Sequence, residues 1–308
     1  MTDHRHMRME NQQEISGAGL PAAQAGTIVL GGDLTVHRMG YGAMRITGKG
    51  IWGMPDDIPA ALATLRCAVE LGVNFIDTAD SYGPDVSEEL IAQALYPYPK
   101  DLVIATKAGW TRHGPGVWQH NASPAHIEQA IEGSLRRLRL DRIDVYQLHV
   151  PDPAVSFDAS METLARLKEQ GKIRHVALSN VTLEHIHRAL RIVPIVSVQN
   201  RYSFSDREWD FVLDFCAANG IAFLPWGPMA QGRKASEAVE KIAAARQVST
   251  AVVSLAWLLR RSPVVLPIPG TGNVKHLEEN VSAAAFRLSD EEFSRMNAVV
   301  PRPYWLRA

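Results

Sequence analysis

Short apolar runs that each end in a polar side chain, separated by helix-length amphipathic stretches, constrain this chain's fold most strongly. The clearest are Asn74-Phe-Ile-Asp77, Val103-Ile-Ala-Thr-Lys107, Asp144-Val-Tyr-Gln-Leu-His149 and Val176-Ala-Leu-Ser-Asn180. Apolar runs of this length read as buried strands of a parallel sheet. Strands are expected at 38–42, 74–77, 102–106, 143–148, 173–178, 196–199, 222–225 and 264–268. Helices are expected between them at 60–71, 86–95, 124–138, 161–169, 183–191 and 207–218, with a pair at 237–246 and 251–260 before the last strand. Ser123-Pro124 is a helix start, and Gly72, Gly171 and Gly220 read as helix stops. Eight such units imply an α/β fold, a closed (β/α)8 TIM barrel. An open doubly wound sheet would carry a Gly-rich phosphate turn after its first strand, and Gly40-Tyr-Gly-Ala-Met44 does not fit one.

Ahead of the barrel, residues 27–36 read as a hairpin around Gly31-Gly32-Asp33. Residues 1–26 are polar and small, His4 and His6 included, and are expected to be a disordered extension without a signal peptide. Residues 27–308 then form one domain.

The 32 basic and 33 acidic side chains nearly cancel, which argues against a nucleic-acid or anionic-membrane partner. No apolar run reaches the length of a membrane span. The two cysteines, Cys67 and Cys216, lie far apart in expected helices. They argue against a disulfide scaffold and suit a reducing cytosol, so a cytoplasmic location is expected. No metal site is expected, and the oligomeric state stays open.

A polar residue just past the carboxyl end of a barrel strand stands where such barrels place their chemistry. Asp77, Tyr82, Lys107 and His149 meet that condition on successive runs. A tyrosine, with an ordinary pKa of about 10, is poorly matched to proton transfer at neutral pH. An ammonium beside it stabilises the phenolate, so Lys107 would activate Tyr82. Asp77 would keep that lysine charged and fixed, and His149 would hydrogen-bond a carbonyl oxygen. With no activated Ser or Cys nucleophile, the set suits protonation of a carbonyl oxygen while a cofactor supplies hydride. Singly, each has an ordinary structural reading: Asp77 a turn cap, Lys107 a solvated strand end, His149 a core histidine, Tyr82 helix packing. Four together at successive strand ends favour the joint reading.

From about Thr27 to Pro301 the chain resembles the aldo-keto reductase superfamily. Asp77-Thr-Ala-Asp-Ser-Tyr82 matches its Asp-Thr-Ala-x-x-Tyr signature, and Lys107 and Leu148-His149 match its strand-end Lys and His. The resemblance implies Tyr82 as general acid, completed by Asp77, Lys107 and His149. It implies that Ser179, Asn180 and Gln199 hydrogen-bond a nicotinamide carboxamide, and that Trp226 stacks on the nicotinamide where the family often has Tyr. Gly227, Pro228, Met229 and Gly232 would lie along the pyrophosphate.

Gly270, Thr271, Asn273, His276, Glu279 and Asn280 resemble the clamp on the adenosine phosphate. Thr271 and Asn273 would face the phosphate, Glu279 and Asn280 the adenine. Gly270 replaces the family's usual Lys and His276 its usual Arg, both grips of the 2′-phosphate, although Lys275 is adjacent. NADPH is therefore the expected cofactor, with NADH left open.

The family's substrate pockets form from loops at the same barrel face, here Ile51-Trp52, Trp110, His113, Trp118 and His120, with Tyr304-Trp305 folding over the mouth. Gly40-Tyr-Gly-Ala-Met44, Ala94-Leu-Tyr-Pro-Tyr98, Leu178-Ser-Asn-Val-Thr182 and Ala256-Trp-Leu-Leu259 are similar to bacterial pyridoxal-reductase-type members. The implied reaction is NAD(P)H-dependent reduction of an aldehyde or ketone, with pyridoxal to pyridoxine as the named case. Two alternatives stay open: a cofactor-sensing partner protein of the same fold, and a barrel isomerase on phosphorylated sugars that binds no nicotinamide.

Overall fold

The structure, a computed structural model, describes residues 19–228 and 237–298. Strands β1 (Thr27–Leu30) and β2 (Leu34–His37) form the expected antiparallel hairpin, Thr27 opposite His37. Next come β3 (Tyr41–Gly42), β4 (Phe75–Asp77) and β5 (Val103–Ala108). A second antiparallel hairpin, β6 (Trp110–Gly114) with β7 (Val117–His120), follows directly. The remaining strands are β8 (Ile143–Leu148), β9 (Ile173–Ser179), β10 (Ile195–Gln199) and β11 (Ala222–Phe223). Seven of these make one parallel sheet in the order β11-β10-β9-β8-β5-β4-β3.

The expected eighth strand is replaced by an extended segment that closes the two sheet edges. Leu266 donates to Phe223 O on one side, while Pro267 O and Pro269 O accept from Gly40 and Gly42 on the other. Both prolines turn a nitrogen without a hydrogen toward β3, so that half of the ladder runs one way only. The barrel closes there without a continuous strand.

Helices cover the outside: α1 (Ile58–Glu70), α2 (Val86–Leu95), α3 (Pro124–Leu138), α4 (Phe157–Glu169) and α5 (Leu183–Leu190). Then come α6 (Asp210–Ala218), α7 (Glu237–Arg246), α8 (Thr250–Arg261), α9 (Val274–Ser282) and α10 (Asp290–Asn297). Their ends follow capping chemistry rather than hydrophobic onset. Helix α1 starts ahead of the expected residue 60 because Asp57 accepts from Ala60 N at 2.9 Å. Helix α4 likewise starts on the Ser156 cap, ahead of 161, and α6 starts later than 207. Helix α10, not expected, opens on a capping box formed by Ser289 and Glu292.

Strand periodicity sorts the core into two layers. Phe75, Val103, Ala105, Val145, Ala177 and Val196 point into the barrel and cluster with Leu30, Leu34 and Val36 of the hairpin. Ile76, Ile104, Tyr146, Leu148, Val176 and Leu178, on the opposite parity, pack under the helices, joined by Val198 beyond a register shift in β10. The inward apolar residues lie toward the amino ends of their strands, where β1 and β2 plug the barrel. Asp33 ties that plug down, bonded to Arg174 Nη2 at 2.8 Å and His175 Nε2 at 2.6 Å.

Inward parity continued toward the carboxyl ends gives Asp77, Lys107, Gln147 and Ser179, and Gln199 joins them beyond a register shift in β10. Lys107 stands opposite Gln147, and Gln199 opposite Ser179. A polar layer therefore sits directly on top of the apolar interior.

The expected extension 1–26 differs from the structure in its last residues. Pro21–Ala25 form a 3-10 turn with Ala22 fully buried, and Ala22 N bonds Leu71 O at 2.9 Å. Gly72, at φ 87°, passes so close that a Cβ there would lie 2.5 Å from the Leu20 side chain. Residues 1–18 lie outside the described residues. Among the described residues, no single helix is long and apolar enough to cross a membrane.

Candidate active site

Three of the four expected catalytic groups join in one hydrogen-bonded chain at the top of the barrel. Lys107 Nζ donates to Asp77 Oδ2 at 2.6 Å, to Thr78 O at 2.8 Å and to the Tyr82 hydroxyl at 3.4 Å. Lys107 is fully buried and Asp77 is 2 % exposed. His149, one residue past β8, meets the Tyr82 ring edge-on at 5.8 Å. Its Nδ1 lies 3.4 Å from Ser81 Oγ. The ammonium is therefore no solvated strand end: it is aimed at the phenol and pinned by a carboxylate.

Electrostatics correct one expectation. Burial raises the Tyr82 phenol above its ordinary value, and Lys107 offsets only part of that rise. The free site thus holds Tyr82 as a neutral phenol rather than a partly ionised one. Burial also opposes the charge on Lys107, but Asp77 and then Tyr82 outweigh it and raise the lysine's pKa. His149 is held well below the ordinary imidazole range, chiefly by burial and then by Lys107. At neutral pH the site therefore presents a phenol, an ammonium and a neutral imidazole, the ammonium paired with Asp77.

A cavity of about 420 Å³ opens over this set, lined by Asp77, Tyr82, His149, Ser179, Asn180, Gln199, Trp226, Gly227, Pro228 and Gly270. Trp110 and Trp118, from the β6–β7 hairpin, complete its wall. They cross edge-on at 5.9 Å, and Trp118 meets Tyr82 at 6.5 Å. The structure thus has a paired hairpin where the sequence suggests a loop after the third strand. The hairpin's Gly114-Pro115-Gly116 turn reverses the chain so that Trp110 pairs with His120, whose ring stacks on the indole at 4.3 Å.

Trp52 does not line the cavity. It packs on the Arg112 guanidinium, 5.7 Å from the ring centroid. His113 is exposed at the hairpin's edge. Tyr304 and Trp305 lie outside the described residues.

Asn180 holds the other wall together in a left-handed conformation at φ 57°. Its Nδ2 donates to His149 O at 3.0 Å and Ser179 Oγ at 3.1 Å, and its Oδ1 accepts from Trp226 Nε1 at 2.9 Å. The indole of Trp226 is thereby fixed while 37 % of its residue surface stays exposed. At Gly227, φ 63°, a Cβ would meet nothing within 4 Å among the described residues. Met229 and Gly232 fall outside the described residues.

Of the last segment, Gly270 reaches the cavity, and a Cβ on it would lie 2.6 Å from Gly42 O. Thr271 and Asn273 shape the start of α9: Thr271 Oγ1 accepts from Asn273 N at 3.1 Å, and Asn273 Oδ1 accepts from His276 N at 3.2 Å. His276 is exposed, Glu279 half-buried and Asn280 buried along that helix.

Sequence reasoning passed over three residues. Met44 and Arg45 line the cavity after β3. Gln147 donates to Asp77 Oδ1 at 2.7 Å, and Gln199 shares that oxygen at 2.9 Å. The Nε2 of Gln199, a residue expected to hydrogen-bond a nicotinamide carboxamide, is thus engaged with the Asp77 carboxylate and with Gln147 Oε1. A polar residue on the inward parity of a buried strand was the available signal for Gln147. Gln147→Leu is expected to destabilise the fold by about 1–3 kcal/mol, because one oxygen of a buried carboxylate loses a donor. Urea denaturation checks this, and an unchanged midpoint would contradict it.

Cys67 and Cys216 are free thiols, the latter pushed up to about 12 by burial. Among the described residues, no three His, Cys, Asp or Glu side chains are grouped to hold a metal ion.

The Aldo/keto reductase family model matches residues 38–301. An uncharacterized oxidoreductase of Schizosaccharomyces pombe is 48% identical over 284 residues, 92% of this chain and 92% of that protein. Pyridoxine 4-dehydrogenase of Escherichia coli is 42% identical over 275 residues, 87% of this chain and 96% of that protein. The solved structure of an aldo-keto reductase from Klebsiella pneumoniae in complex with NADPH matches with TM-score 0.76 at 27% identity, covering 90% of this chain and 96% of that one. The chain belongs to the aldo/keto reductase family.

Proposed function

We propose that this protein reduces an aldehyde or ketone to the alcohol with NADPH, Tyr82 acting as general acid. The observation that carries the reading is the Asp77–Lys107–Tyr82 hydrogen-bond chain at the floor of an aromatic cavity. NADPH bound there supplies the hydride.

The residues present fit that cofactor. Ser179, Asn180 and Gln199 line the cavity with a hydroxyl and amide oxygens, their amide nitrogens being engaged within the protein, and Trp226 offers a fixed indole face beside them. Gly227, which lines the cavity without a side chain, suits a close-lying pyrophosphate, and the start of α9 suits a phosphate. Binding of NADPH by the Klebsiella pneumoniae enzyme supports the same choice.

Tyr82 gives its proton to the carbonyl oxygen as that oxygen gains charge. Lys107 lowers the cost of the phenolate left behind, and Asp77 holds Lys107 in place. Neutral His149 donates a hydrogen bond that orients the substrate oxygen. Similarity to Escherichia coli pyridoxine 4-dehydrogenase supports pyridoxal as substrate and pyridoxine as product. A cofactor-sensing role without turnover is not favoured, because Asp77, Tyr82 and His149 line the cavity and Lys107 is bonded to two of them.

Steady-state NADPH consumption with pyridoxal and a panel of aromatic aldehydes tests the reading. Repeating the best substrate with NADH shows whether Gly270 and His276 relax the cofactor choice. Tight NADPH binding without turnover on any carbonyl would contradict the proposal.

A pH prediction follows from the two shifted groups. With Tyr82 raised and His149 lowered, neither titrates near neutrality. The rate of reduction is therefore expected to stay level between about pH 6 and 8. An inflection near the ordinary histidine pKa would contradict the neutral-imidazole assignment.

A further inference from the structure

Arg112 has an arrangement that the proposed chemistry does not use. It lies within β6, 9 % exposed, and every N–H of its guanidinium ends on a backbone carbonyl. Nε donates to Val117 O at 3.0 Å. Nη1 donates to Ile51 O and Ser81 O, both at 2.9 Å. Nη2 donates to Gly50 O at 3.1 Å and Gly114 O at 3.5 Å. Burial is what lowers its pKa. A cation placed this way costs desolvation that a purely space-filling residue would avoid.

The acceptors belong to three separate segments. Gly114 and Val117 are in the hairpin, Gly50 and Ile51 follow β3, and Ser81 precedes Tyr82. The guanidinium also lies 3.8 Å from the Trp118 ring centroid, and Trp118 is the indole that meets Tyr82 edge-on. Five donors in a rigid plane can serve these carbonyls at once. A lysine offers three donors at one point and cannot.

We propose that Arg112 is a positioning residue for specificity: it pins three loops together and fixes Trp118 as a wall beside Tyr82, favouring flat aromatic carbonyl substrates over small aliphatic ones. This rests on the reading of the site as carbonyl-reducing. An aliphatic aldehyde needs no wall to reach Tyr82, whereas a ring is oriented by one. Loosening the wall should therefore penalise the two unequally.

The test compares the intact chain with Arg112→Lys and Arg112→Met. Their kcat and KM are measured for NADPH-dependent reduction of benzaldehyde and propanal, with NADPH affinity followed by tryptophan quenching. In Arg112→Lys the ratio of kcat/KM for benzaldehyde over propanal is expected to fall roughly tenfold. The fall should lie mainly in the KM for benzaldehyde, with NADPH affinity unchanged. Arg112→Met, which removes all five donors, is expected to fall further; if it does not fold, the lysine variant alone decides.

An unchanged ratio, or equal losses on both aldehydes, would overturn the proposal, since a merely structural role predicts equal losses. Failure of the wild-type chain to reduce benzaldehyde, propanal and pyridoxal alike would instead overturn the underlying reading of the site, and this inference with it.

Discussion

Tyr82→Phe is expected to lower kcat for carbonyl reduction by roughly 10²–10⁴-fold while leaving NADPH affinity unchanged. Tyr82 is 7 % exposed and its hydroxyl accepts from Lys107, while its ring, which Phe keeps, meets Trp118, His149 and the Lys107 ammonium. What disappears is the proton donor in the transition state. That deficit shows in kcat and kcat/KM together. Parallel measurement of NADPH binding by fluorescence and of turnover separates the two effects. Retention of most activity would remove Tyr82 from the role of acid.

Lys107→Met should reduce activity comparably, and the double variant with Tyr82→Phe should be no slower than the slower single. Both residues act on one proton, so their effects are not independent. Additive losses would contradict this coupling.

Lys107→Met carries a second expected result, in stability. Asp77 and Lys107 are both buried at 2.6 Å separation. Removing the ammonium strands a buried carboxylate held only by the amides of Gln147 and Gln199. A cost of about 3–5 kcal/mol is expected. Asp77→Asn in the same chain removes the stranded charge and should recover part of that loss. Urea denaturation of the two single variants and the double decides, and a double less stable than Lys107→Met would contradict the ion-pair account.

The polar ends of the strands were legible because strand parity is strict: Asp77 follows Phe75, and Lys107 follows Val103 and Ala105, on one face. Gln147 obeys the same rule but was read as part of an apolar run, since Tyr146 and Leu148 flank it. The β6–β7 hairpin carried a turn signal at Gly114-Pro115-Gly116, yet Thr111, Arg112 and His113 lack the alternation that marks a half-buried strand. Arg112's role depends on carbonyls from residues far along the chain, which no local pattern specifies. The direction of the Tyr82 shift was missed for a related reason. Proximity to Lys107 is readable from a motif, but the burial that outweighs it belongs to the folded cavity. The last strand failed where Pro267 and Pro269 remove its ladder donors, and residues 21–25 found a packed place that their small side chains did not advertise.

Quantifying alcohol formed per NADPH consumed, with pyridoxal as substrate and Tyr82→Phe as control, tests the central claim most directly. One pyridoxine per NADPH in the wild-type chain, nearly abolished in Tyr82→Phe, is the predicted result. Equal turnover by both chains, or NADPH consumption without alcohol, would contradict a carbonyl-reducing site built on Tyr82.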